Sequence, residues 1–374
     1  MLTAIIFIII LGVLVFVHEL GHFVVARRNG VKAEEFGFGF PPRIVGVVRI
    51  GEGKKLRLVW GNREMQSKNT IYSVNWIPLG GFVRIKGEDG GNKQDKDSFA
   101  AKKAWPRTKI LAAGVIMNFL FAWFLISIAF WIGAPEAIDD SGANIPNSKI
   151  QITEVMPNSP ADQAGIKVGD EILKQDGNVR FGNVSDVQNY VDANKGKQIT
   201  LDLKRGGQSI EVNVTPRENA PTGQGPLGIA LAQTVIKSYP IYQAIWNGLV
   251  ATFNITLAIL IALYDILKKL FMFQGVGAEI SGPVGIAVLT KQVTTLGLVY
   301  VLQFAALLSI NLGIINALPI PALDGGRILF ILIEKIKGSP VSRKTEQAFH
   351  TVGFMLLILL MILVTLRDVL KLIK

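Results

Sequence analysis

Two histidines and a glutamate near the start of the chain have the spacing of a metal site on a helix. His18 and His22 are four residues apart, and Glu19 follows the first of them. Residues at i and i+4 share one helix face, about 5–6 Å apart at Cβ, so the two imidazoles can bind one ion. Glu19 is placed to hold a water without binding the metal. The pattern is typical of zinc-dependent hydrolysis, with a solvated helix face as the alternative.

This motif lies in a segment that has the composition of a membrane span. Residues 1–17 carry no charge, and four apolar residues separate His22 from Arg27 and Arg28. Unpaired ionisable side chains are disfavoured in lipid and in a protein interior. The apolar setting therefore favours metal binding over a solvated helix face, because a bound cation gives the two imidazoles a partner.

A catalytic zinc ion needs a third protein ligand, and Asp324 is the best candidate. It follows an uncharged run over residues 292–323 and precedes two glycines, so its carboxylate lies at membrane depth and needs a partner. His350 is the only other histidine, but it begins an apolar segment without polar neighbours. A helix cap or a salt bridge is the alternative role for Asp324. We expect Zn²⁺ to be bound by His18, His22 and Asp324.

The charge of the chain follows its hydrophobic segments. Net charge is +11, and 50% of the residues are hydrophobic. Residues 23–109 hold 18 Lys and Arg against 8 Asp and Glu, whereas residues 134–246 hold 10 against 13. This asymmetry is typical of a membrane protein with basic cytoplasmic loops, and no nucleic-acid-binding motif accompanies it, so we expect no nucleic acid partner. The absence of cysteine excludes disulfides, thiolate catalysis and cysteine-bound metal.

The long apolar segments predict a polytopic α-helical membrane protein with four transmembrane helices. These are expected at residues 1–26, 107–134, 292–318 and 347–366. Basic residues after the first span place residue 27 onward in the cytoplasm. The Leu-Asp-Gly motif at residues 323–325 then follows the third span on the same side as the histidines. A cleaved signal peptide is a weak alternative for the first span, because no positive charge precedes it.

Residues 27–106, between the first two spans, have the pattern of a small membrane-associated β-meander on the cytoplasmic side. Its four strand-like runs are bounded by glycine, proline and asparagine, and they cover residues 44–50, 56–60, 70–77 and 80–86. The stretch EFGFGF at residues 35–40 predicts a turn at the membrane interface, because its glycines disfavour a helix and its aromatic residues disfavour a solvated loop.

Residues 238–275 include an uncharged stretch that has a second interpretation besides a span. The stretch, residues 238–263, holds polar side chains that include Asn247, Thr252, Asn254 and Thr256. If it crossed the membrane, the next span would bring Asp324 to the side opposite the two histidines. We therefore expect interfacial amphipathic helices here, with a re-entrant segment as the alternative.

Residues 145–233 have the pattern of a soluble α+β domain. Alternation at residues 150–155 is followed by SPADQAGIKVGDEIL at residues 159–173 and by helical spacing at residues 184–193. This order resembles a bacterial PDZ domain, and the charge pattern places it outside the cytoplasm. The resemblance implies a loop for the ligand carboxylate near Gly228 and Ile229.

Five motifs, in this order, resemble those of the bacterial site-2 proteases, which are zinc metalloproteases that cut within membranes. The motifs are HELGH at 18–22, GFGF at 37–40, PLGGFVRIKGE at 78–88, SGPVGI at 281–286 and NALPIPALDGG at 316–326. The resemblance covers nearly the whole chain and is greatest to the branch that cleaves anti-sigma factors. Many members of that branch carry two tandem PDZ domains, whereas this chain has room for one.

The resemblance implies roles for further residues. Glu19 is expected to take the proton of the attacking water and to pass it to the leaving amine. Asn316 is similar to the family's substrate-binding asparagine, although it can also be a polar residue that ends a helix. An unwound substrate is expected to add as a β-strand to the edge formed by Gly80, Gly81, Phe82, Val83, Arg84 and Ile85.

We therefore expect a multi-pass enzyme of the bacterial inner membrane, with its active site towards the cytoplasm. Its expected partners are the lipid bilayer and single-span substrates of regulated intramembrane proteolysis, either anti-sigma-factor-like proteins or remnant signal peptides. The PDZ domain either binds a peptide C-terminus left by an earlier cut or excludes bulky outer domains. The alternatives are a membrane-anchored zincin that cuts extramembrane peptides and a catalytically silent PDZ-bearing adaptor.

Overall fold

The computed structural model describes residues 2–50, 55–62, 67–138, 148–175, 179–221, 223–272, 282–339 and 341–373. The helices of this part are α1 (Leu2–Arg28), α2 (Ala104–Ile132), α3 (Pro160–Gln163), α4 (Val184–Ala193), α5 (Ile241–Phe271), α6 (Pro283–Leu296), α7 (Leu298–Ala317), α8 (Asp324–Lys337) and α9 (Arg343–Ile373). Parts of five predictions lie outside the described residues. They are Met1 of the first span, 51–54 and 63–66 of the segment 27–106, 145–147, 176–178 and 222 of the PDZ domain, 273–275 of the interfacial segment, and Ser281.

The strands belong to two separate sheets. They are β1 (Ala33–Ile50), β2 (Lys55–Trp60), β3 (Ile71–Ile85), β4 (Ala134–Ala137), β5 (Lys149–Val155), β6 (Glu171–Gln175), β7 (Val179–Arg180), β8 (Ile199–Arg205), β9 (Gln208–Val214) and β10 (Ile229–Lys237). The chain divides into a first unit, residues 1–126, 248–290 and 303–374, and a second unit, residues 127–247 and 291–302.

Five of the described helices are long and apolar enough to cross a membrane, namely α1, α2, α5, α7 and α9. About 20 apolar residues suffice to span the hydrocarbon core. Four of these helices overlap the predicted spans, and the fifth, α5, lies in the segment for which we expected interfacial helices. Length and composition therefore admit a fifth span, and the count of four stays a prediction.

The helices between residues 238 and 318 differ in extent from the predicted segments. Residues Ile241–Phe271 form one continuous helix instead of several interfacial helices. The predicted span at 292–318 is divided between the end of α6 and α7. The chain turns at Gly297, whose φ of 116° is a left-handed conformation that favours glycine.

The sheet of the first unit has the strand order β2-β1-β3. The predicted meander is therefore wrong, because β1 lies between the other two strands. The predicted turn at residues 35–40 is also wrong, since this stretch belongs to β1. Long strands tolerate these glycines because Gly39 (φ 82°) and Gly80 (φ 88°) let the chain bend within β1 and β3.

Bending brings β1 into contact with two parts of β3. Phe36 pairs with both Val83 and Tyr72. Residues 81–85 therefore pair with the start of β1 on one side, and no described strand pairs with them on the opposite side. A buried core that includes Ala26 of α1, Ile85 of β3, Ile110 of α2 and Ile331 of α8 joins this edge segment to the helices.

The second unit contains a sheet with the strand path β4-β10-β5-β6-β8-β9, together with α3 and α4. Its core includes Ile152, Val187, Leu201 and Leu203. The sheet extends beyond the predicted bounds of 145–233, because Ala134–Ala137 pairs with the end of β10. Asp170 fixes the turn before β6 by accepting hydrogen bonds from Arg205, which raises the pKa of that guanidinium above its usual value.

Candidate metal centre and active site

Three side chains of the first unit converge on one point. His18 Nε2 and His22 Nε2 lie 3.1 and 3.2 Å from Asp324 Oδ2 and 3.1 Å from each other. Both histidines are buried, and the Asp324 side chain is 17% exposed. The predicted i and i+4 spacing on α1 places the imidazoles side by side, and α8 brings the carboxylate to them.

Two glycines let α1 and α2 approach closely behind this cluster. A Cβ added at Gly114 of α2 would lie 2.4 Å from His22 Nε2 and 2.7 Å from His18 Cε1. A Cβ added at Gly21 of α1 would lie 2.4 Å from the carbonyl oxygen of Ala113. Small residues of this kind allow membrane helices to pack with their backbones in contact.

The orientation of His22 is fixed by a backbone carbonyl of α2. His22 Nδ1 lies 2.8 Å from the carbonyl oxygen of Ile110. A carbonyl only accepts hydrogen bonds, so Nδ1 carries the hydrogen and the neutral ring presents a lone pair at Nε2. The nitrogen that faces Asp324 is therefore able to bind a metal.

The three converging atoms fit a zinc ion. Bonds of about 2.0–2.2 Å at near-tetrahedral angles separate ligand atoms by about 3.3–3.4 Å, close to the observed 3.1 and 3.2 Å. Asp324 Oδ2 is buried and receives no hydrogen bond from any described residue. Electron-pair donors this close to one another need a cation between them, and the set of two imidazoles and one carboxylate suits zinc.

Asp324 is the first residue of α8, and the two following glycines allow this helix to begin where it does. Cβ atoms at Gly325 and Gly326 would lie 2.2 Å from the carbonyl oxygens of Leu318 and Ile320. The Leu-Asp-Gly-Gly sequence thus lets α8 start directly against the turn that leaves α7. The start of a helix also favours a negative charge.

His350 holds the turn before Asp324, although the sequence pattern predicted no polar neighbour for this histidine. The backbone N–H of Ala322 donates to His350 Nδ1 at 2.8 Å. Ala322 has a φ of 70°, a conformation that is uncommon for alanine. One turn further along α9, a Cβ at Gly353 would lie 2.0 Å from Pro321 Cβ. The expectation that His350 lacks polar neighbours is therefore wrong, although it is not among the converging side chains.

Glu19 lies between the histidines and the β3 edge. Its Oε2 accepts a hydrogen bond of 3.2 Å from the backbone N–H of Val83. Helix α1 presents Glu19 next to the two imidazoles without bringing it into the converging set of three. The contact orients the carboxylate and places the edge of β3 beside it.

The predicted substrate residues lie in two places, residues 80–85 of β3 and Asn316 of α7. Gly80 and Gly81 lie against α1, where added Cβ atoms would come within 2.5 Å of Val15 Cβ and 3.0 Å of Phe16 Cδ2. Ile85 is buried and Arg84 is exposed, while Phe82 packs over Gly37. The segment 80–85 therefore lies between the converging side chains and the rest of the sheet, and its Val83 N–H contacts Glu19.

Asn316 lies in the last turn of α7, eight residues before Asp324, and is half-buried. Its side chain has no hydrogen bond to the described residues. The substrate role of Asn316 stays a prediction.

The predicted ligand loop of the second unit lies at the end of a groove between α4 and β10. Gly228 has a φ of 72°, and Ile229 is the first residue of β10. The groove is lined by Val187, Gln188, Val191 and Asp192 of α4 and by residues 225–231. Both predicted residues therefore face one apolar groove.

Sequence reasoning missed Gly114 and the Ile110 carbonyl of α2. The signal available for Gly114 was a glycine in the middle of an uncharged span, four residues before Asn118. A backbone carbonyl has no signal in the sequence, because every residue carries one.

Replacing Gly114 by alanine is expected to weaken zinc binding at least about 10-fold, because the new methyl group would displace His22 Nε2. Gly12 of α1 is a matched control, since its added Cβ would have only ordinary contacts, the nearest at 3.6 Å. Zinc affinity is measured by competition with a chelator on the detergent-purified chain. Equal affinities for Gly114→Ala and Gly12→Ala would contradict the described packing of α2.

Comparison with known proteins gives consistent matches. The family model "Peptidase family M50" matches residues 6–59 and 48–360. The zinc metalloprotease RasP of Geobacillus kaustophilus is 30% identical, with 98% of this chain and 97% of that protein covered. A putative zinc metalloprotease of Clostridium perfringens is 34% identical, with 95% of each covered.

Two further matches are more specific in name. The regulator of sigma-W protease RasP of Bacillus subtilis is 29% identical over 99% of each chain. A solved PDZ domain of an SdrC-like protein from Listeria monocytogenes is 21% identical and aligns with 24% of this chain and 93% of its own length, with a TM-score of 0.21.

The family match confirms the resemblance and the zinc peptidase class predicted from HELGH and the Leu-Asp-Gly motif. Its two matched segments contain His18, Glu19, His22 and Asp324. The chain belongs to peptidase family M50.

Proposed function

We propose that this protein is a zinc-dependent endopeptidase that cuts the membrane-spanning segment of single-span proteins. The observation that carries this proposal is the convergence of His18, His22 and Asp324 on one point within helices α1 and α8. Two of these residues lie in a helix that is apolar enough to span the membrane. A zinc ion at membrane depth can act only on a peptide bond that reaches the same depth.

His18, His22 and Asp324 hold the metal, and Glu19 moves the proton. Zinc at such a site polarises a carbonyl and lowers the pKa of water towards about 7. Glu19 takes a proton from the attacking water at its carboxylate and delivers it to the nitrogen of the leaving amine. The Val83 N–H orients Glu19 for both transfers through its bond to Oε2.

The substrate binds in an extended form along β3. A peptide bond inside a helix is shielded, so the substrate must unwind before it is attacked. Residues 80–85 form the edge segment that lies at Glu19, which supports the addition of an unwound substrate as a neighbouring strand. The side chain of Asn316 then hydrogen-bonds the substrate backbone.

The enzyme lies in the bacterial inner membrane with its metal centre towards the cytoplasm and its PDZ domain outside. Basic residues at the end of α1, Arg27 and Arg28, support this orientation. Exposed apolar side chains on the first sheet, such as Leu56, Trp60 and Trp76, support its association with the membrane. With α5 at the outer interface, four spans bring Asp324 to the side of the histidines.

Substrates are single-span proteins that were already trimmed outside, either anti-sigma-factor-like proteins or remnant signal peptides. The name of the Bacillus subtilis relative, a regulator of sigma-W protease, supports the first class.

Removal and return of zinc test the proposed activity. The purified chain is placed in lipid vesicles with a tagged single-span substrate, stripped of metal with a chelator, and then given zinc again. Cleavage is expected to stop and to resume. A zinc-loaded chain that cuts none of several single-span substrates would favour the catalytically silent adaptor.

The groove of the second unit binds peptide C-termini. On the side of β10 opposite β5, the described strand β4 pairs only with residues 234–237, which leaves residues 229–232 open beside α4. An extended peptide can add to this edge while its carboxylate reaches the loop at Gly228. Size exclusion of bulky outer domains is the competing role.

Replacing Gly228 by alanine is expected to weaken peptide binding at least about 10-fold. Its Cβ would lie 2.4 Å from Ser159 Cβ and would move the loop. Gly207 is the matched control, because it also has a positive φ, 91°, but its Cβ would have open space. Binding is measured by fluorescence anisotropy with peptides that end in an apolar residue. If the wild-type chain binds no such peptide, size exclusion is the role that stands.

A further inference from the structure

Asn118 of α2 contacts the candidate metal centre at His18, on the side of the imidazole opposite Asp324. Its side chain is completely buried, and its amide nitrogen lies 3.1 Å from His18 Nδ1. Its amide oxygen is buried without a partner among the described residues. No other described group therefore fixes which end of the carboxamide faces the imidazole, and His18 itself decides the orientation.

The two orientations have opposite effects on His18. If the amide N–H₂ donates to Nδ1, the hydrogen of the neutral ring is on Nε2, which then points at Asp324 and cannot bind a metal. If the carboxamide turns by half a rotation, Oδ1 accepts the hydrogen of Nδ1 and Nε2 keeps its lone pair. Only the second orientation is compatible with a metal ligand at His18 Nε2.

Helix α2 contacts the histidines with residues spaced four apart on one face. The carbonyl of Ile110 accepts from His22 Nδ1, Gly114 leaves room for both rings, and Asn118 reaches His18 Nδ1. Both imidazoles are thus held at Nδ1 by α2, one by a backbone oxygen and the other by a side chain.

Helix α7 holds the backbone of Asn118. Ser309 Oγ, fully buried, donates to the backbone carbonyl of Asn118 at 2.8 Å. A Cβ at Gly313 would lie 3.4 Å from Asn118 Cβ, so α7 packs directly against this residue. The helix-to-helix bond therefore uses the backbone of Asn118, and its side chain is left for His18.

We infer that Asn118 is a positioning residue that accepts the Nδ1 hydrogen of His18 through Oδ1 and thereby keeps His18 Nε2 free for the metal. This inference rests on the proposed zinc site. Partners of this kind fix the ring orientation and tautomer of a ligating histidine, and their loss costs about 10–100-fold in metal affinity.

Zinc affinity of two variants tests the inference without any measurement of cleavage. The detergent-purified full chain is titrated with zinc against a chelator of known affinity. Asn118→Leu, which has a similar size and no acceptor, is expected to bind zinc about 10–100-fold more weakly. Asn118→Asp, which can only accept, is expected to stay within about 3-fold of the wild type. Asn311→Leu is the matched control, because Asn311 lies in α7 and bonds only to the Leu307 carbonyl among the described residues.

The outcomes separate the possibilities. Wild-type affinity in Asn118→Leu would overturn the inference, and so would an equal loss in the Leu and Asp variants, since an acceptor that does not restore affinity leaves Asn118 with a packing role only. Failure of the wild-type chain to bind zinc would instead overturn the proposed metal site.

A second measurement applies even if Asn118→Leu does not fold. The ¹⁵N spectrum of the zinc-loaded wild-type chain reports which imidazole nitrogen carries the hydrogen and which binds the metal. The chain has 3 histidines, so His22→Gln and His350→Gln variants suffice to assign them. A hydrogen on His18 Nδ1 is expected, and a hydrogen on His18 Nε2 would overturn the inference.

Discussion

Replacing Glu19 by glutamine is expected to lower kcat/KM about 10²–10⁴-fold while the chain still binds one zinc. Glutamine has the same size and still offers an oxygen to the N–H of Val83, which now bonds Glu19 Oε2 at 3.2 Å. It cannot take a proton from water at pH 7. The loss therefore falls on the chemical step and leaves the metal centre and the β3 edge in place.

Two measurements on the same preparation check this result. Cleavage of a tagged single-span substrate gives kcat/KM, and elemental analysis gives the zinc content. Glu211→Gln serves as the control, because this exposed carboxylate lies on β9 of the second unit. A Glu19→Gln chain that cuts as fast as the wild type would rule out Glu19 as the proton carrier.

Replacing Asp324 by asparagine is expected to weaken zinc binding more than about 100-fold. This loss is larger than the one expected when a residue that only hydrogen-bonds a metal ligand is removed. The change keeps the shape of the side chain and removes the charge that faces His18 Nε2 and His22 Nε2 at 3.1 and 3.2 Å. Two imidazoles then remain of the three ligands that catalytic zinc requires. Cleavage is expected to fall with zinc occupancy and to be only partly restored by excess zinc.

Asp368→Asn is the matched control for this experiment. Asp368 is a buried carboxylate of the first unit, but it accepts from the backbone N–H of Gly285 at 2.8 Å. It is expected to retain the zinc affinity of the wild type. Tight zinc binding by the Asp324→Asn chain would contradict a role for Asp324 as the third ligand.

The side chains of the metal centre could be predicted because their chemistry is rare in apolar sequence. The i and i+4 spacing of His18 and His22 is a local property of one helix, so it survives any tertiary arrangement. Asp324 was found because a carboxylate after an uncharged run of 32 residues requires a partner. Neither inference needed the positions of the other helices.

The surroundings of the centre could not be predicted, because they are contacts between elements far apart in sequence. The N–H of Val83 at Glu19, and the Ile110 carbonyl at His22, are 64 and 88 residues away from their partners. Backbone groups are present at every residue, so only the packing of α1 against α2 and β3 selects these two. His350 was misjudged for the same reason, since its partner is a backbone N–H.

The errors in the first sheet have a common physical cause. Glycine and proline usually interrupt strands, so residues 35–40 were interpreted as a turn and Pro78 and Leu79 as a break between two strands. In the structure both stretches lie within long strands that bend at Gly39 and Gly80. The bends let β3 pass against α1, where a side chain at Gly80 would overlap Val15. The sequence correctly indicated an irregularity at these glycines. At Gly39 and Gly80, however, the strand bends and continues instead of ending.

The position of the cut tests the central claim most directly. A single-span substrate with an extramembrane tail is incubated with the zinc-loaded wild-type chain in lipid vesicles, and the new peptide ends are identified by mass spectrometry. A metal centre on apolar α1 predicts ends inside the membrane-spanning segment, which are absent with Glu19→Gln. Ends only in the extramembrane tail would contradict intramembrane cleavage and favour a membrane-anchored zincin.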